Sequence, residues 1–300
     1  MTLRIQQPRH PLAVTALAAL GLLLGIVLVA LASSATPVGH AAAGVVPTPA
    51  HVVVVMEENH SYADVIGSPS APYLNSLAQQ GALFTSSFAV QHPSQPNYLE
   101  LFSGSNQGVN NDTCPQTFST PNLAGDLIAA GYTFGGYSEA LPSQGSLVCN
   151  HKGINGSGQY VRRHAPWTNF TNVPASVGMP FSAFPTKFGN LPTVSFVIPA
   201  LMDDMHNGTV QQGDTWLQNH LDAYAQWAKS HNSLLIVTWD EDDNSQSNQI
   251  PTIVVGQGVT PGLYGERINH YSVLRTIEAM YGLPGAGSAA GLAPILDIWS

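Results

Sequence analysis

The sequence predicts an α/β fold, a three-layer sandwich in which helices cover both faces of a mostly parallel central sheet. Short apolar runs rich in β-branched and aromatic residues alternate along the chain with segments of helical periodicity. The runs are almost continuously apolar, which is typical of strands that are covered on both faces. Neither an internal repeat nor a charged linker divides residues 44–300, so we expect a single domain there.

Five short apolar runs are predicted to be the strands of this sheet. Turn-forming or helical segments separate them, as expected in a fold built from strand–helix–strand units. The runs are His51–Met56, Tyr132–Tyr137, Thr193–Pro199, Leu234–Trp239 and Ile250–Val255.

Apolar residues at spacings of three and four predict helices between the strands. The periodic segments are Ala71–Ala82, Asn122–Ala130, Thr215–Ser230 and Tyr271–Tyr281. Asp214 stands directly before the third segment and is predicted to cap its N-terminus. Pro96 is suited to the first position of a further helix that ends near Phe102.

Residues 1–43 have the pattern of an export signal rather than of a folded segment. Arg4 and Arg9 give a basic start, the apolar run Leu12–Ala32 follows, and Ala41–Ala43 fits a small-residue cleavage site. We therefore expect a secreted protein whose folded domain spans residues 44–300. The apolar run is longer than in most export signals, and the alternative is an uncleaved anchor that leaves the domain facing outside.

The composition excludes several classes of protein. Charged residues make up 9% of the chain and hydrophobic residues 44%, which argues against disorder. The net charge is −9, and Lys and Arg form no cluster in residues 44–300. A nucleic-acid partner is therefore not expected, because it would require a basic face. No feature of the sequence predicts a stable protein partner.

The chain contains two cysteines, Cys114 and Cys149. An even number of cysteines in an exported protein favours a disulfide, and we predict that these two are bonded. The alternative is two separate buried thiols.

Carboxylates follow three of the predicted strands. The segments concerned are Glu57–Asn59, Asp203–His206 and Asp240–Asp243. Ligands of parallel α/β sheets bind beyond the carboxyl ends of the strands, where these side chains would converge. Oxygen ligands that repel one another suit a hard divalent cation. The alternative is that the acids cap the turns and helices after each strand.

A second unusual segment is His92–Tyr98, in which two prolines flank Ser94. Ser94 would stand just ahead of a helix N-terminus, whose free N–H groups favour an anion. Beside a metal ion, such a serine could act as a nucleophile on phosphorus. The alternative interpretation is an ordinary proline-rich loop.

Four histidines lie in or beside unusual segments, and imidazoles can bind phosphoryl oxygens or protonate a leaving group. These histidines are His92, His164, His206 and His270.

Together these motifs resemble the bacterial phosphoesterase family of acid phosphatases and phosphatidylcholine-type phospholipases C, within the alkaline phosphatase superfamily. They occur in the family's order and span nearly all of residues 44–300. The matching segments are Val53–Tyr62, His92–Tyr98, Tyr160–Trp167, Asp204–His206, Gly213–Leu217, Thr238–Asp243 and His270–Glu278.

The resemblance implies an alkaline-phosphatase-like fold and a secreted acid phosphatase that forms a phosphoserine on Ser94. It implies small phosphomonoesters or phosphoinositide head groups, among them phosphatidylinositol 3-phosphate, as substrates. Asn59, His164 and His206 would contact the phosphoryl group, and either His206 or His270 would protonate the leaving group. One divalent metal ion would be held by Glu58, Asn59, Ser94, Asp240 and Glu241.

Three other interpretations remain at this point. A phospholipase C would share the nucleophile and cut the glycerol side of the phosphate. A serine esterase is indicated weakly by Gly136–Ala140, which nearly matches the Gly-x-Ser-x-Gly elbow but lacks its last glycine. A non-catalytic binding protein is the third. Leu147–Gln159 is longer than in the secreted phosphatases, so the resemblance does not define the rim of the substrate pocket.

Overall fold

The computed structural model describes residues 45–153 and 158–300. The strands of this part of the chain are β1 (His51–Glu57), β2 (Ala82–Phe84), β3 (Ser87–Phe88), β4 (Phe134–Ser138), β5 (Asn150–Lys152), β6 (Gln159–Val161), β7 (Gly178–Pro180), β8 (Val194–Ile198), β9 (Ser233–Trp239), β10 (Thr252–Gly256), β11 (Gly262–Tyr264) and β12 (Ile268–Asn269). The α-helices are α1 (Tyr62–Val65), α2 (Pro72–Gln80), α3 (Ser94–Ser103), α4 (Leu123–Ala129), α5 (Val210–Ala228) and α6 (His270–Met280).

Eight strands form the central sheet in the order β11-β2-β10-β9-β1-β8-β4-β7. The run from β9 to β7 is parallel, with β1 between β9 and β8, while β10 is antiparallel to both of its neighbours. The predicted mostly parallel α/β sheet is thus confirmed.

Helices cover both faces of the sheet, and alternate residues of β1 show why. Val52 and Val54 belong to the core that α3 and α6 cover, whereas Val53 and Val55 belong to the core under α2 and α5. All four valines are at most 1% exposed. A strand that is buried on both faces must be apolar at every position, so the unbroken run of valines is explained.

Each of the five predicted strands exists, with ends that differ by one or two residues, and the helical segments also form. Two predicted helix starts were wrong. The helix that was expected after Asp214 begins at Val210, with Thr209 as its N-cap, because the Thr209 hydroxyl accepts from the N–H of Gln212. The helix that was expected to begin at Pro96 begins at Ser94.

Asp214 instead lies inside α5 and caps a different helix. Its carboxylate accepts hydrogen bonds from the N–H groups of Tyr73 (3.1 Å) and Leu74 (2.8 Å) in the first turn of α2. The N-cap residue of α2 is Ala71, which has no side chain that could do this. A buried carboxylate from α5 therefore supplies the acceptors that the first turn of α2 needs.

The predicted disulfide between Cys114 and Cys149 is present, with a Cα–Cα distance of 5.7 Å. It ties the segment after α3 to the start of the β5–β6 hairpin.

The predicted export signal lies outside the described residues. Within residues 45–153 and 158–300, the helices are too short or too polar to cross a membrane.

Candidate functional site

The site lies at the carboxyl ends of three neighbouring strands, β9, β1 and β8. The backbone segments that leave these strands are hydrogen-bonded to one another. The N–H of Glu58 donates to the carbonyl of Asp204 (2.8 Å), and the N–H of Asp240 donates to the carbonyl of Glu57 (3.0 Å). The carboxylates that follow the three strands are therefore brought to one edge, as the sequence predicted.

Ser94 is the first residue of α3 and is 3% exposed. Its Oγ donates to Oε2 of Glu58 across 3.2 Å. Asn59 has a left-handed backbone conformation (φ 53°), and its N–H donates to Oδ1 of Asp240 at 3.0 Å. The structure thus joins four of the predicted site residues, Glu58, Asn59, Ser94 and Asp240, in one cluster.

His164 joins the same cluster at the other carboxylate oxygen of Glu58. Its Nε2 lies 3.1 Å from Oε1 of Glu58, and its Nδ1 lies 3.6 Å from Oδ2 of Asp204. The imidazole is 1% exposed. Burial lowers its pKa well below the ordinary value, and the nearby Arg163 and His206 act in the same direction. His164 is therefore a neutral imidazole held between two acids.

The carboxylates of the cluster are held in conditions that oppose their ionisation. Burial, followed by repulsion from Asp240 and Asp204, raises the pKa of Glu58 well above its usual range. Burial raises the pKa of Asp240 to about 6, although a hydrogen bond from the Asn59 N–H works against the rise. Burial and the charge of Asp240 raise the pKa of Glu241 to about 9. A compensating positive charge is the ordinary way to keep such groups ionised at neutral pH.

A divalent cation fits this donor set. Glu58, His164 and Asp204 each place a ligand atom within 4.8 Å of the others, and all three are buried. In the described ranges, Oδ2 of Asp204 and Oδ2 of Asp240 have no hydrogen-bond partner although both are buried. Buried polar atoms without a partner are costly, and a hard metal ion would satisfy oxygen atoms of this kind.

Glu241 points towards the start of α3. Its Oε2 lies 3.0 Å from Nδ1 of His92 and accepts from the Nδ2 amide of Asn97 at 3.3 Å. The other ring nitrogen of His92 lies 3.3 Å from Oδ1 of Asp242. His92 therefore braces the segment that follows β9.

Residues 68–284 match the phosphoesterase family. This span covers more than half of the chain and includes Ser94, His164, Asp204 and Asp240. The chain belongs to the phosphoesterase family.

Two curated relatives of this chain are informative. The phosphatidylinositol-3-phosphatase of Mycobacterium tuberculosis is 52% identical over 287 residues, which are 95% of this chain and 94% of the relative. An acid phosphatase of Aspergillus fumigatus is 30% identical over 261 residues, which are 80% of this chain and 57% of that protein.

Solved structures with the same fold are more distant in sequence. An alkaline phosphatase superfamily protein from Vibrio parahaemolyticus superposes with a TM-score of 0.59 at 15% identity, over 84% of this chain and 72% of that one. A lipoteichoic acid synthase from Listeria monocytogenes gives a TM-score of 0.59 at 11% identity, over 86% and 78% of the two chains. The alkaline-phosphatase-like fold is confirmed by these similarities.

Two further histidines of this phosphoesterase occupy different surroundings. His206 is half-buried, its ring centre lies 6.0 Å from that of His164, and its Nε2 lies 3.4 Å from Nη2 of Arg163. His270 begins α6, is 1% exposed and donates from Nε2 to the carbonyl of Trp239 at 2.9 Å. Burial lowers the pKa of His270 to about 4.

Sequence reasoning did not assign a role to Tyr98 or Arg163, and it treated Asp204 only as part of an acidic segment. Tyr98 is hydrogen-bonded to Glu58, and Arg163 reaches His206. A signal for Tyr98 was available, because it stands four residues after Ser94 and so shares its face of a helix. Arg163 gave no comparable signal, because its neighbour His206 is distant in sequence.

Proposed function

We propose that this phosphoesterase is a secreted, metal-dependent phosphatase that hydrolyses phosphomonoesters through a phosphoserine on Ser94. The observation that carries the proposal is the contact between Ser94 Oγ and Glu58 at an edge where four buried carboxylates meet. A hydroxyl in that position has no obvious use in a binding protein. Localisation outside the cell rests on the export-signal pattern of residues 1–43.

The cation would be held by the residues that the family resemblance implies. They are Glu58, Asn59, Ser94, Asp240 and Glu241. His164 and Asp204 also offer ligand atoms close to Glu58. When bound, a divalent cation would neutralise these acids and withdraw charge from the phosphoryl oxygens.

The chain's own residues would act on the two ends of the scissile bond. Ser94 Oγ attacks phosphorus as its proton passes to Glu58 Oε2, the acceptor of its hydrogen bond. The bond from phosphorus to the alcohol oxygen breaks, and that oxygen takes a proton. Water then cleaves the phosphoserine, which releases phosphate and restores Ser94.

We assign the proton donor to His206 rather than to His270. His206 is half-buried and lies beside His164, which with Asn59 would contact the phosphoryl group. His270 is enclosed, with only 1% of its surface exposed. A general acid must reach the leaving group, which His270 in this position does not.

The substrate class that we propose is the phosphoinositide head group, with phosphatidylinositol 3-phosphate first, together with small phosphomonoesters. This follows from the 52% identity to a phosphatidylinositol-3-phosphatase over almost the whole of both chains. The esterase alternative is disfavoured by Ser138, which is 1% exposed and has no hydrogen-bond partner for its Oγ among the described residues.

The test is a substrate panel on the purified protein with and without a chelator. Phosphatidylinositol 3-phosphate in vesicles and p-nitrophenyl phosphate should release phosphate, while phosphatidylcholine should release no phosphocholine. The chelator should abolish the activity and added divalent metal should restore it. Acid quenching with a ³²P-labelled monoester should leave label on the peptide that contains Ser94. Phosphocholine release would identify a phospholipase C, and chelator-resistant turnover would contradict the metal-dependent mechanism.

A further inference from the structure

Two side chains on one face of α3 hold the two oxygens of a single carboxylate. Ser94 donates to Oε2 of Glu58 across 3.2 Å, and the phenol of Tyr98 donates to Oε1 across 2.5 Å. Ser94 and Tyr98 are four residues apart, so one helical turn brings both hydroxyls to Glu58.

Tyr98 also contacts the other buried partner of Glu58. Its ring is stacked on the imidazole of His164, with centroids 4.8 Å apart and planes inclined by 6°. Tyr98 is 1% exposed. A carboxylate oxygen accepts, so the Tyr98 hydroxyl is the donor in its contact with Glu58.

We propose that Tyr98 is a positioning residue that fixes the carboxylate plane of Glu58, so that Oε2 faces Ser94 and Glu58 is preset to bind the divalent cation. The proposal rests on the function proposed above, because it assumes that Glu58 is a ligand of that cation. Tyr98 would not touch the substrate; it would act through Glu58 and His164.

The physical reason for such a role is that the carboxylate of a glutamate can rotate about its terminal torsion. The terminal torsion of a glutamate is broad, so an untethered group would not hold one oxygen towards Ser94. A hydrogen bond from a neutral donor to a charged acceptor is short and strong, and it leaves the acceptor ionised. Loss of such a partner behind a metal ligand costs about 10–100-fold in metal affinity.

The test compares two variants that each delete one buried hydroxyl. Tyr98→Phe keeps the ring on His164 and removes only the donor to Glu58. Tyr224→Phe is the matched control, because Tyr224 is also fully buried and donates to a carbonyl, that of Leu234, at 3.0 Å beneath the other face of the sheet. Metal-free protein is titrated calorimetrically with Mg²⁺, Mn²⁺ and Zn²⁺ in parallel, and melting temperatures are recorded without metal.

Tyr98→Phe should weaken binding of the ion that restores activity by about 10-fold or more and should lower kcat more than it raises KM. Tyr224→Phe should lower the melting temperature and leave metal affinity unchanged. In a Glu58→Gln background, Tyr98→Phe should have no further effect on metal affinity, because its action passes through Glu58.

Equal metal affinity in wild type and Tyr98→Phe would overturn the positioning role and leave the proposed phosphatase mechanism intact. A similar loss of affinity in Tyr224→Phe would also overturn it, because the effect would then come from general destabilisation. Wild-type protein that binds none of the three ions would instead contradict the proposed metal-dependent function itself.

Discussion

Ser94 Oγ and Glu58 Oε2 lie 3.2 Å apart although 36 positions separate the two residues in sequence. They meet because β1 ends and α3 begins at the same edge of the sheet. Both residues are almost fully buried, so water has little access to the hydroxyl before a substrate arrives. Among the buried serines of the described residues, Ser94 is the one whose hydroxyl donates to the carboxylate cluster at this edge.

Ser94→Ala should reduce phosphate release by about three orders of magnitude or more, because it removes the only atom that can form the covalent intermediate. Ser103→Ala is the matched control at the other end of α3. Ser103 is also buried, and its Oγ donates to the Leu99 carbonyl, so its loss should affect stability alone. Turnover is measured with a soluble monoester under saturating metal. Near-wild-type turnover by folded Ser94→Ala protein would exclude the serine mechanism.

Asp240→Asn should lower metal affinity and activity together, and excess metal should restore part of the activity. Asp240 keeps one carboxylate oxygen without a partner in the described part of the chain, and its other oxygen holds the N–H of Asn59. The side-chain amide of the variant can still accept the N–H of Asn59, but it carries no negative charge to hold a cation. Metal content after dialysis is the measurement, and the control is Asp222→Asn on α5, where the half-buried carboxylate accepts from the Gln226 amide. Unchanged metal content with reduced activity would place Asp240 in the phosphate site instead.

The sequence was sufficient to predict the central sheet and the carboxylate cluster at its edge. Strands such as β1 and β9 are covered on both faces, so their apolar runs could be recognised without knowing the partners. The two- and three-residue strands could not be predicted, because pairing alone defines them. Asp214 shows that long-range hydrogen bonds could not be predicted either. An acid just before an apolar helical segment resembles an N-cap of that helix, but its carboxylate oxygens accept from a helix 140 residues away in sequence.

Asp214→Asn should destabilise the protein by about 1–2 kcal/mol, because the amide has only one oxygen where the carboxylate serves two N–H groups at the start of α2. Denaturant unfolding of the metal-loaded protein measures the loss. Metal affinity should not change, since the Asp214 carboxylate is bonded to the N–H groups of α2 and not to Glu58 or Asp240. An unfolding free energy equal to that of wild type would show that α2 needs no acceptor from α5.

The stability of the fold should fall as pH rises through neutrality, and Glu278 should account for part of that fall. Burial raises the pKa of Glu278 to about 7 although it accepts from the Ala286 N–H and lies near Arg275. The folded protein therefore binds this proton more tightly than the unfolded chain does. Its contribution is complete below about pH 4.5 and is lost as the pH rises through about 7.

Glu278→Gln should consequently flatten the dependence of unfolding free energy on pH between about 5 and 8. At ~1.4 kcal/mol per pKa unit the difference between variant and wild type amounts to about 2–3 kcal/mol across that range. The other buried carboxylates are present in both proteins, so their effects cancel in the comparison. Parallel curves for the two proteins would show that Glu278 is ionised in the fold at all of these pH values.

The disulfide between Cys114 and Cys149 should support stability and leave the chemistry alone. The two cysteines are 35 positions apart, and on the chain-entropy model a loop of that length contributes about 3–4 kcal/mol by restricting the unfolded chain. The bridge anchors the hairpin that precedes His164, yet neither sulfur belongs to the cluster around Glu58. Reduction should therefore lower the melting temperature while turnover at mild temperature persists, and Cys114→Ala/Cys149→Ala should behave like the reduced protein. Loss of turnover without a change in melting temperature would mean that the bridge holds His164 in place for catalysis, rather than stabilising the fold.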